Sequence, residues 1–431
     1  MTQIPFNDTD LVVVAGLSSG VALQHLLESE TNPTVFVVGP TFPRETALDI
    51  PTFAAQASPE TRIILPLLSE TTRESYANGT VELLPVQASD QRRVVKTLAS
   101  EHDRVVGIIE TADPVDGTYT PGICGIGIPA LVEAADLLVA ERNPNAPRIP
   151  GIEIPSTDVD IELDAEYALP SVSAPTPTET ANAVAENVLD VIPDGATLQL
   201  GRGNVPTAVT DALLGESGYR MHTGIVDGNA KRLIEQGVIT DGSVVAPTIP
   251  DCPFDRPVMT GVVAGPGQAF YDWVENSKTV VLGGLSETHQ PSVAGKNPAL
   301  TAINSAVQID LSGQVNAERI RTRQVSAPGG QPDFVRAARV SAGGRSIIAL
   351  TSTVDQKDIS KIVAGIPPES VVTTPRYAPD FVVTERNVVD CRTSSIRERA
   401  GELIQAAAPA YRQSLREAAV TQQLLPEKEQ N

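Results

Sequence analysis

The chain has 431 residues and a formal net charge of −21, with 53 acidic against 32 basic side chains. That balance disfavours nucleic acid and anionic membrane as main partners, because both are polyanions that basic surfaces attract. The length is enough for two or three domains, each with its own core.

In chain order, an apolar strand LVVVAG starts after Asp10 and leads through a glycine turn into a helix carrying Val21, Leu23, Leu26 and Leu27. Residues 34–38 form a second strand running into Gly39-Pro40, and further strands are expected at 62–67, 81–84 and 105–109, with a helix over 91–100. Glycine-rich stretches, DPVDGTY and GICGIGIP, precede a helix over 129–136 and a strand over 137–141. Strands alternating with helices predict an α/β fold with a largely parallel sheet. Pro, Ser and Thr dominate residues 169–179, where periodicity stops. This expected linker divides the chain into an N-terminal α/β domain (1–170), a linker (171–180) and a C-terminal α/β domain (181–431).

The second half opens with a helix over 179–191 and continues with a turn at Pro193-Asp194-Gly195, a strand over 196–200 and the loop Gly201-Arg202-Gly203-Asn204. Pro206 then starts a helical period through Val209, Leu213 and Leu214. Strand, glycine loop and helix N-terminus leave backbone N–H groups free for an anion, so this is a candidate phosphate site. A plain βα turn fits the spacing equally well. Pro206 stands where a dinucleotide fingerprint has its third glycine, which leaves a nucleotide-dependent dehydrogenase as a distant reading. A helix over 230–236, the glycine-spaced GVVAGPGQAFYDWVEN, a strand over 307–311 and a small-residue loop over 326–331 follow. Backbone amides in such a loop approach a ligand closely, and two aimed at one carbonyl oxygen make an oxyanion site. A loop that needs glycine only for its angles is the alternative. Both halves share one texture, consistent with a distant duplication, and residues 422–431 are expected to fray.

Three cysteines, Cys124, Cys252 and Cys391, are odd in number and far apart, and His25, His102, His222 and His289 show no metal-ligand spacing. These point to a reducing compartment and no metal site. No apolar run approaches the roughly 20 residues of a membrane span, and MTQIPFNDTD lacks signal-peptide order, so a cytoplasmic protein without a membrane partner is expected. Only 7 basic residues are lysine. Few lysines and widely spread acid match a halophilic protein, whose like-charge repulsion is screened by salt; an ordinary acidic cytoplasmic protein is the alternative.

The segments DPVDGTYTPG, LVAERNPNAPRIPG, IPDGATLQLGRGNVPTAV, HTGIVDGNAKRLIEQGVIT, INSAVQIDLSGQVNAERI, GGQPDFVRAARVSAGGRSIIALTST, VTTPRYAPDFVVTERNVVDCR and RERAGELIQAAAPAYRQSL follow one another between about residues 105 and 415. Their order resembles the acetyl-CoA hydrolase/transferase family, class I CoA-transferases that include 4-hydroxybutyrate and butyryl-CoA:acetate transferases. The resemblance implies two related open-sheet domains of NagB/RpiA-like type with acyl-CoA between them. Coenzyme A would be a substrate, a small carboxylic acid the acceptor, and no cofactor would be bound permanently. A homo-oligomer is left open. It also implies a glutamate that attacks the thioester to give an acyl-glutamyl anhydride, then a glutamyl-CoA thioester. Gly201, Gly203 and Asn204 would line the CoA site, Asn304 would contact the cofactor or acyl end, and the loop Ala327 to Gln331, with Gly329 and Gly330, would supply amides at the thioester. Arg345 would meet a CoA phosphate.

Where the family reads His-Thr-Glu, this chain reads His222-Thr223-Gly224, and glycine has no side chain to attack with. Pro328 also stands in the amide loop, where it removes a donor. Three outcomes follow. Another acid, Glu235, Glu287 or Asp227, takes over; or water fills the gap with Asp227 as general base, giving a hydrolase; or the chain binds CoA esters without chemistry. His222 is expected to be a hydrogen-bonded structural residue, and Asp333 and Arg336 to pair on a helix first turn.

Overall fold

Residues 10–15, DLVVVA, are buried along their whole length. A run apolar on both faces fits a strand covered on both sides, the condition of a parallel sheet with helices on its faces. The computed structural model describes residues 3–15, 20–42, 48–240, 257–354, 357 and 359–427. Its first sheet contains β1 (Asp10–Ala15), β2 (Thr34–Val38), β3 (Arg62–Leu65), β4 (Glu82–Leu83), β5 (Arg104–Thr111), β6 (Leu137–Arg142) and β7 (Ile161–Asp164). They lie in the order β4-β3-β2-β1-β5-β6-β7, all parallel.

The second sheet contains β8 (Thr197–Leu200), β9 (Arg220–Val226), β10 (Val258–Val263), β11 (Val280–Leu282), β12 (Leu300–Asn304), β13 (Arg345–Ala349), β14 (Phe381–Val383) and β15 (Val388–Asp390). Its order, β11-β10-β9-β8-β12-β13-β14-β15, repeats the first sheet strand for strand and adds β15 antiparallel at the edge. The two halves are related α/β domains. In each, the chain winds outward from its first strand and then returns to that strand's other side. Open parallel sheets bind ligands outside the carboxyl ends of their strands at this switch point.

The halves pack through close backbone approach. Gly125 N donates to Gly261 O at 2.9 Å, Val263 N to Ile123 O at 2.8 Å and Leu282 N to Pro150 O at 2.8 Å. Gly151, at φ +138°, brings its backbone against Leu282 so closely that a Cβ there would overlap the Leu282 carbonyl, so only glycine fits. One buried cluster runs through both halves, joining Ile126 and Cys124 to Val262 and Leu282.

The structure alters four expectations. Residues 169–178, expected as a linker, have neither helix nor strand but are pinned: Val172 N donates to Gly265 O at 2.9 Å and the Tyr271 hydroxyl to Pro170 O at 2.6 Å. The helix Glu179–Leu189 begins inside the segment 171–180, where Thr178 accepts from Ala181 N and caps it. The strand expected over 307–311 belongs to a small side sheet, as Gln308–Asp310, while the preceding Leu300–Asn304 joins the main sheet. The start of the tail does not fray, since Leu424 and Leu425 donate to Ala419 O and pack on a buried cluster. Gly16 of the first turn and Cys252 lie outside the described residues. Among those described, no helix is long and apolar enough to cross a membrane.

Candidate active site

β8 and β12, neighbours at the switch point of the second sheet, end side by side. Gly201 N donates to Ile303 O at 3.0 Å and the Asn304 amide to Gln199 Oε1 at 2.8 Å. A cleft of about 860 Å³ opens above these ends, roofed by first-half loops at residues 39–42 and 67–71. The loop over 326–331 forms one wall and is tied to the first half. Ala88 N donates to Gly329 O at 2.8 Å and Arg73 Nε to Val325 O at 2.8 Å. Asp333, fully buried in the helix Gln331–Val340, accepts from Ser89 N at 2.9 Å, Ser89 Oγ at 2.6 Å and Arg336 at 2.8 Å. Burial raises its pKa, while the Ser89 and Arg336 bonds oppose that rise. The expected Asp333–Arg336 pair is thus also the clamp between loop and first half.

Gly201, Asn304, Ala327, Gly329, Gly330 and Gln331 line the cleft. Gly203 and Asn204 stand just behind it, at the start of the helix Asn204–Ala212, and Arg202 takes the exposed place between. The Arg202 guanidinium lies 5.2 Å from the centroid of the Phe42 ring, joining the two halves across the cleft. It forms no ion pair among the described residues. Its signal in the sequence was its place in the glycine loop.

Two expected site residues stand elsewhere. Arg345 is at the first position of β13, at the amino ends of the strands and so opposite the cleft, where it donates to Val191 O at 2.8 Å and stacks on Phe381. It cannot reach a phosphate in the cleft. Asp227 caps the helix Gly228–Glu235, accepting from Asn229 N at 3.0 Å and Ala230 N at 3.2 Å. Its carboxylate is held by that helix and does not line the cleft, which removes it as a base. Burial raises its pKa and the helix amides oppose this. Of the other two acids, Glu235 pairs with Lys231 on an exposed face, and Glu287 is buried on the short helix Leu285–Thr288 outside the lining. Burial pushes the Cys124 thiol up to about 12 and the Cys391 thiol to about 11, so neither is a nucleophile. Among the described residues no group of His, Cys, Asp and Glu is placed to hold a metal ion.

Gly224 faces the cleft from β9. A Cβ there would lie 3.1 Å from His289 Nε2 and 3.5 Å from Phe334 Cε2. A Cβ on Gly330 would lie 2.7 Å from His289 Cδ2 and 2.8 Å from Nε2. The imidazole of His289 is therefore wedged between two glycines, at the point where the resemblance implies the family's glutamate. Sequence reasoning missed His289, since its neighbours come from distant segments and the local text, LSETHQP, carries no catalytic motif. His222 lies behind it with both nitrogens committed: Nε2 donates to Thr288 O at 2.8 Å and Nδ1 accepts from the Asn297 amide at 3.1 Å.

Burial lowers the pKa of His222 to about 4; burial and the adjacent His222 lower that of His289 to about 3. Both rings are neutral in the fold and titrate near 6.5 once unfolded. The unfolded chain thus binds more protons below that value, and stability falls as pH drops from about 6.5 toward 4, by up to about 1.4 kcal/mol per pH unit for each ring. His289→Gln is expected to remove about one ring's share of that slope, which urea unfolding at several pH values inside the window measures.

Residues 267–419 match the family model of the acetyl-CoA hydrolase/transferase C-terminal domain. Over 317 residues the chain is 34% identical to the 4-hydroxybutyrate coenzyme A transferase of Clostridium kluyveri, covering 72% of this chain and 71% of that protein. The chain belongs to the acetyl-CoA hydrolase/transferase family. Another relative of this family member is the acetyl-CoA hydrolase of Kluyveromyces lactis, 25% identical over 69% of this chain and 62% of that protein. The crystal structure of RipA from Yersinia pestis has the same fold, with a TM-score of 0.83 at 22% identity over 97% of this chain and 95% of that one.

Proposed function

We propose that this family member is a cytoplasmic enzyme that hydrolyses short, uncharged acyl-CoA thioesters with water as nucleophile, rather than passing CoA through a protein carboxylate to an acceptor acid. The observation that carries this is Gly224, which faces the cleft with no side chain while His289 fills the space beside it. Among the described residues that line the cleft, Glu70 alone has a carboxylate, and it is exposed on the loop after β3. Apolar Ile126, Ile225, Val262 and Phe334 line the cleft with Gly224 and His289, leaving room for a short aliphatic acyl group.

Coenzyme A enters as substrate, its thioester carbonyl at the 329–331 turn and its charged portion toward Arg202. Pro332 at the second position of the helix Gln331–Val340 has no N–H, so the donor for the developing oxyanion is the Gln331 N–H at the start of that helix, which has no intrahelical partner. Water oxygen bonds to the carbonyl carbon, the tetrahedral oxyanion collapses, the C–S bond breaks, and the thiolate takes up the proton that water gave up. No bound cofactor takes part in these steps.

The test is purified protein with acetyl-CoA or propionyl-CoA, followed for free thiol and for CoA appearing on added acetate or succinate. Thiol release independent of the acid is the expected result; CoA exchange faster than release contradicts the reading. Binding of CoA esters without turnover would show as a CoA-dependent rise in unfolding temperature with no thiol. We further infer that the acidic, lysine-poor composition suits concentrated salt. A higher unfolding temperature in molar KCl than in dilute buffer is expected, and a lower one contradicts it.

A further inference from the structure

We propose that His289 is the catalytic base that activates the hydrolytic water, through an Nε2 lone pair that faces the cleft between Gly224 and Gly330. This rests on the hydrolytic reading above. The orientation follows from counting protons. The Thr288 hydroxyl has one, and it donates that proton to Gly284 O at 2.7 Å. The 2.8 Å contact between Thr288 Oγ1 and His289 Nδ1 is then one in which Nδ1–H donates. A neutral imidazole with its proton on Nδ1 has its lone pair on Nε2.

His289 lines the cleft although only 4% of its surface is exposed. Nε2 makes no hydrogen bond to any described residue, and it lies 3.1 Å from the place a Gly224 Cβ would occupy and 2.8 Å from that of Gly330. A water donating to Nε2 therefore sits in front of Gly224, beside the turn that offers the amide donor. The ring is held in place: Phe334 packs against it with centroids 4.9 Å apart, and Thr288, whose hydroxyl fixes Nδ1, is itself fixed through its carbonyl by His222. Thr288 is thus a positioning residue.

As the water oxygen bonds to the thioester carbon, its O–H bond breaks and the proton goes to Nε2. Collapse of the oxyanion breaks the C–S bond, and the Nε2 proton passes to the departing sulfur. The products are the carboxylic acid and the CoA thiol, and the ring returns to neutral. A ring that binds protons weakly takes this one only as the C–O bond forms, and then hands it on readily to the thiolate.

The experiment uses the full chain and acetyl-CoA, comparing wild type with His289→Gln, His289→Ala and Thr288→Val. Both His289 variants are expected to lose about 10²–10⁴-fold in kcat, the usual worth of a general base, with KM little changed. Added imidazole is expected to restore part of the rate in His289→Ala, a response that a purely structural role would not give. Thr288→Val, which leaves the ring but frees its Nδ1, is expected to lower kcat as well. Folded His289→Gln or His289→Ala protein with a wild-type kcat would overturn the proposal, as would an unchanged kcat in Thr288→Val. A wild type that exchanges CoA onto acids, or releases no thiol, instead contradicts the hydrolytic reading on which the proposal rests.

Discussion

Gly224→Glu is expected to abolish thiol release and to cost about 1–3 kcal/mol of stability, the usual cost of forcing atoms into a packed site. The first added carbon already falls 3.1 Å from His289 Nε2, and the wall beyond is Phe334. The rest of the side chain must then enter the cleft where the water and acyl group belong. Gly224→Glu combined with His289→Gly removes the obstacle and supplies a carboxylate beside the 329–331 turn. That pair is expected to regain the lost stability and to exchange CoA onto acetate through a thioester on the new carboxylate, which borohydride would trap. Unfolding curves and an exchange assay check both parts. A single variant as stable as wild type, or a folded pair without exchange, would show that His289 does not hold the nucleophile's place.

Gly330→Ala is expected to lower kcat by about 10²-fold, the scale of a misplacement of about 1 Å at a reacting group. The backbone at Gly330, φ −88° and ψ −10°, suits alanine, so strain is not the cause. The cause is contact, because the new methyl would sit 2.7 Å from His289 Cδ2 and 2.8 Å from Nε2. Either the ring turns away from Gly224 or the turn moves off the thioester, and both spoil the geometry. The CoA-dependent rise in unfolding temperature should survive, since Arg202 and the β8 end are untouched. Near-normal turnover in Gly330→Ala would mean that the ring's position is unimportant.

Much of the scaffold was legible because the fold states itself locally. β1 and β2 are short apolar, β-branched runs that suit a covered parallel strand, and the glycine loop after β8 punctuates strand from helix as its residues demand. Asp227 was legible too and was misread: an aspartate directly before Gly228-Asn229-Ala230 is a helix cap by residue type, and the structure uses it so. Arg345 was misplaced because the resemblance does not say at which end of the sheet a strand's first residue lies. β13 runs parallel to β12, so its start faces away from the carboxyl ends that form the cleft. Leu300–Asn304 escaped notice because its Thr and Asn interrupt the apolar alternation, yet the strand is wholly buried.

His289 was illegible for a different reason. Nothing near it in the chain announces chemistry, and its surroundings are assembled from β9, the residue 330 turn and Phe334. Gly224 could be seen as a missing nucleophile from the sequence alone. That a neutral ring stands in the space required the fold.

Turnover of acetyl-CoA in heavy-oxygen water, with both product and protein weighed, separates direct attack by water from covalent catalysis. Direct attack by water predicts label in the acetate from a single turnover and none in any Asp or Glu side chain of the recovered protein. Label in a protein carboxylate, with Glu70 the first to inspect, would mean a covalent acyl intermediate and would contradict the hydrolytic reading of Gly224.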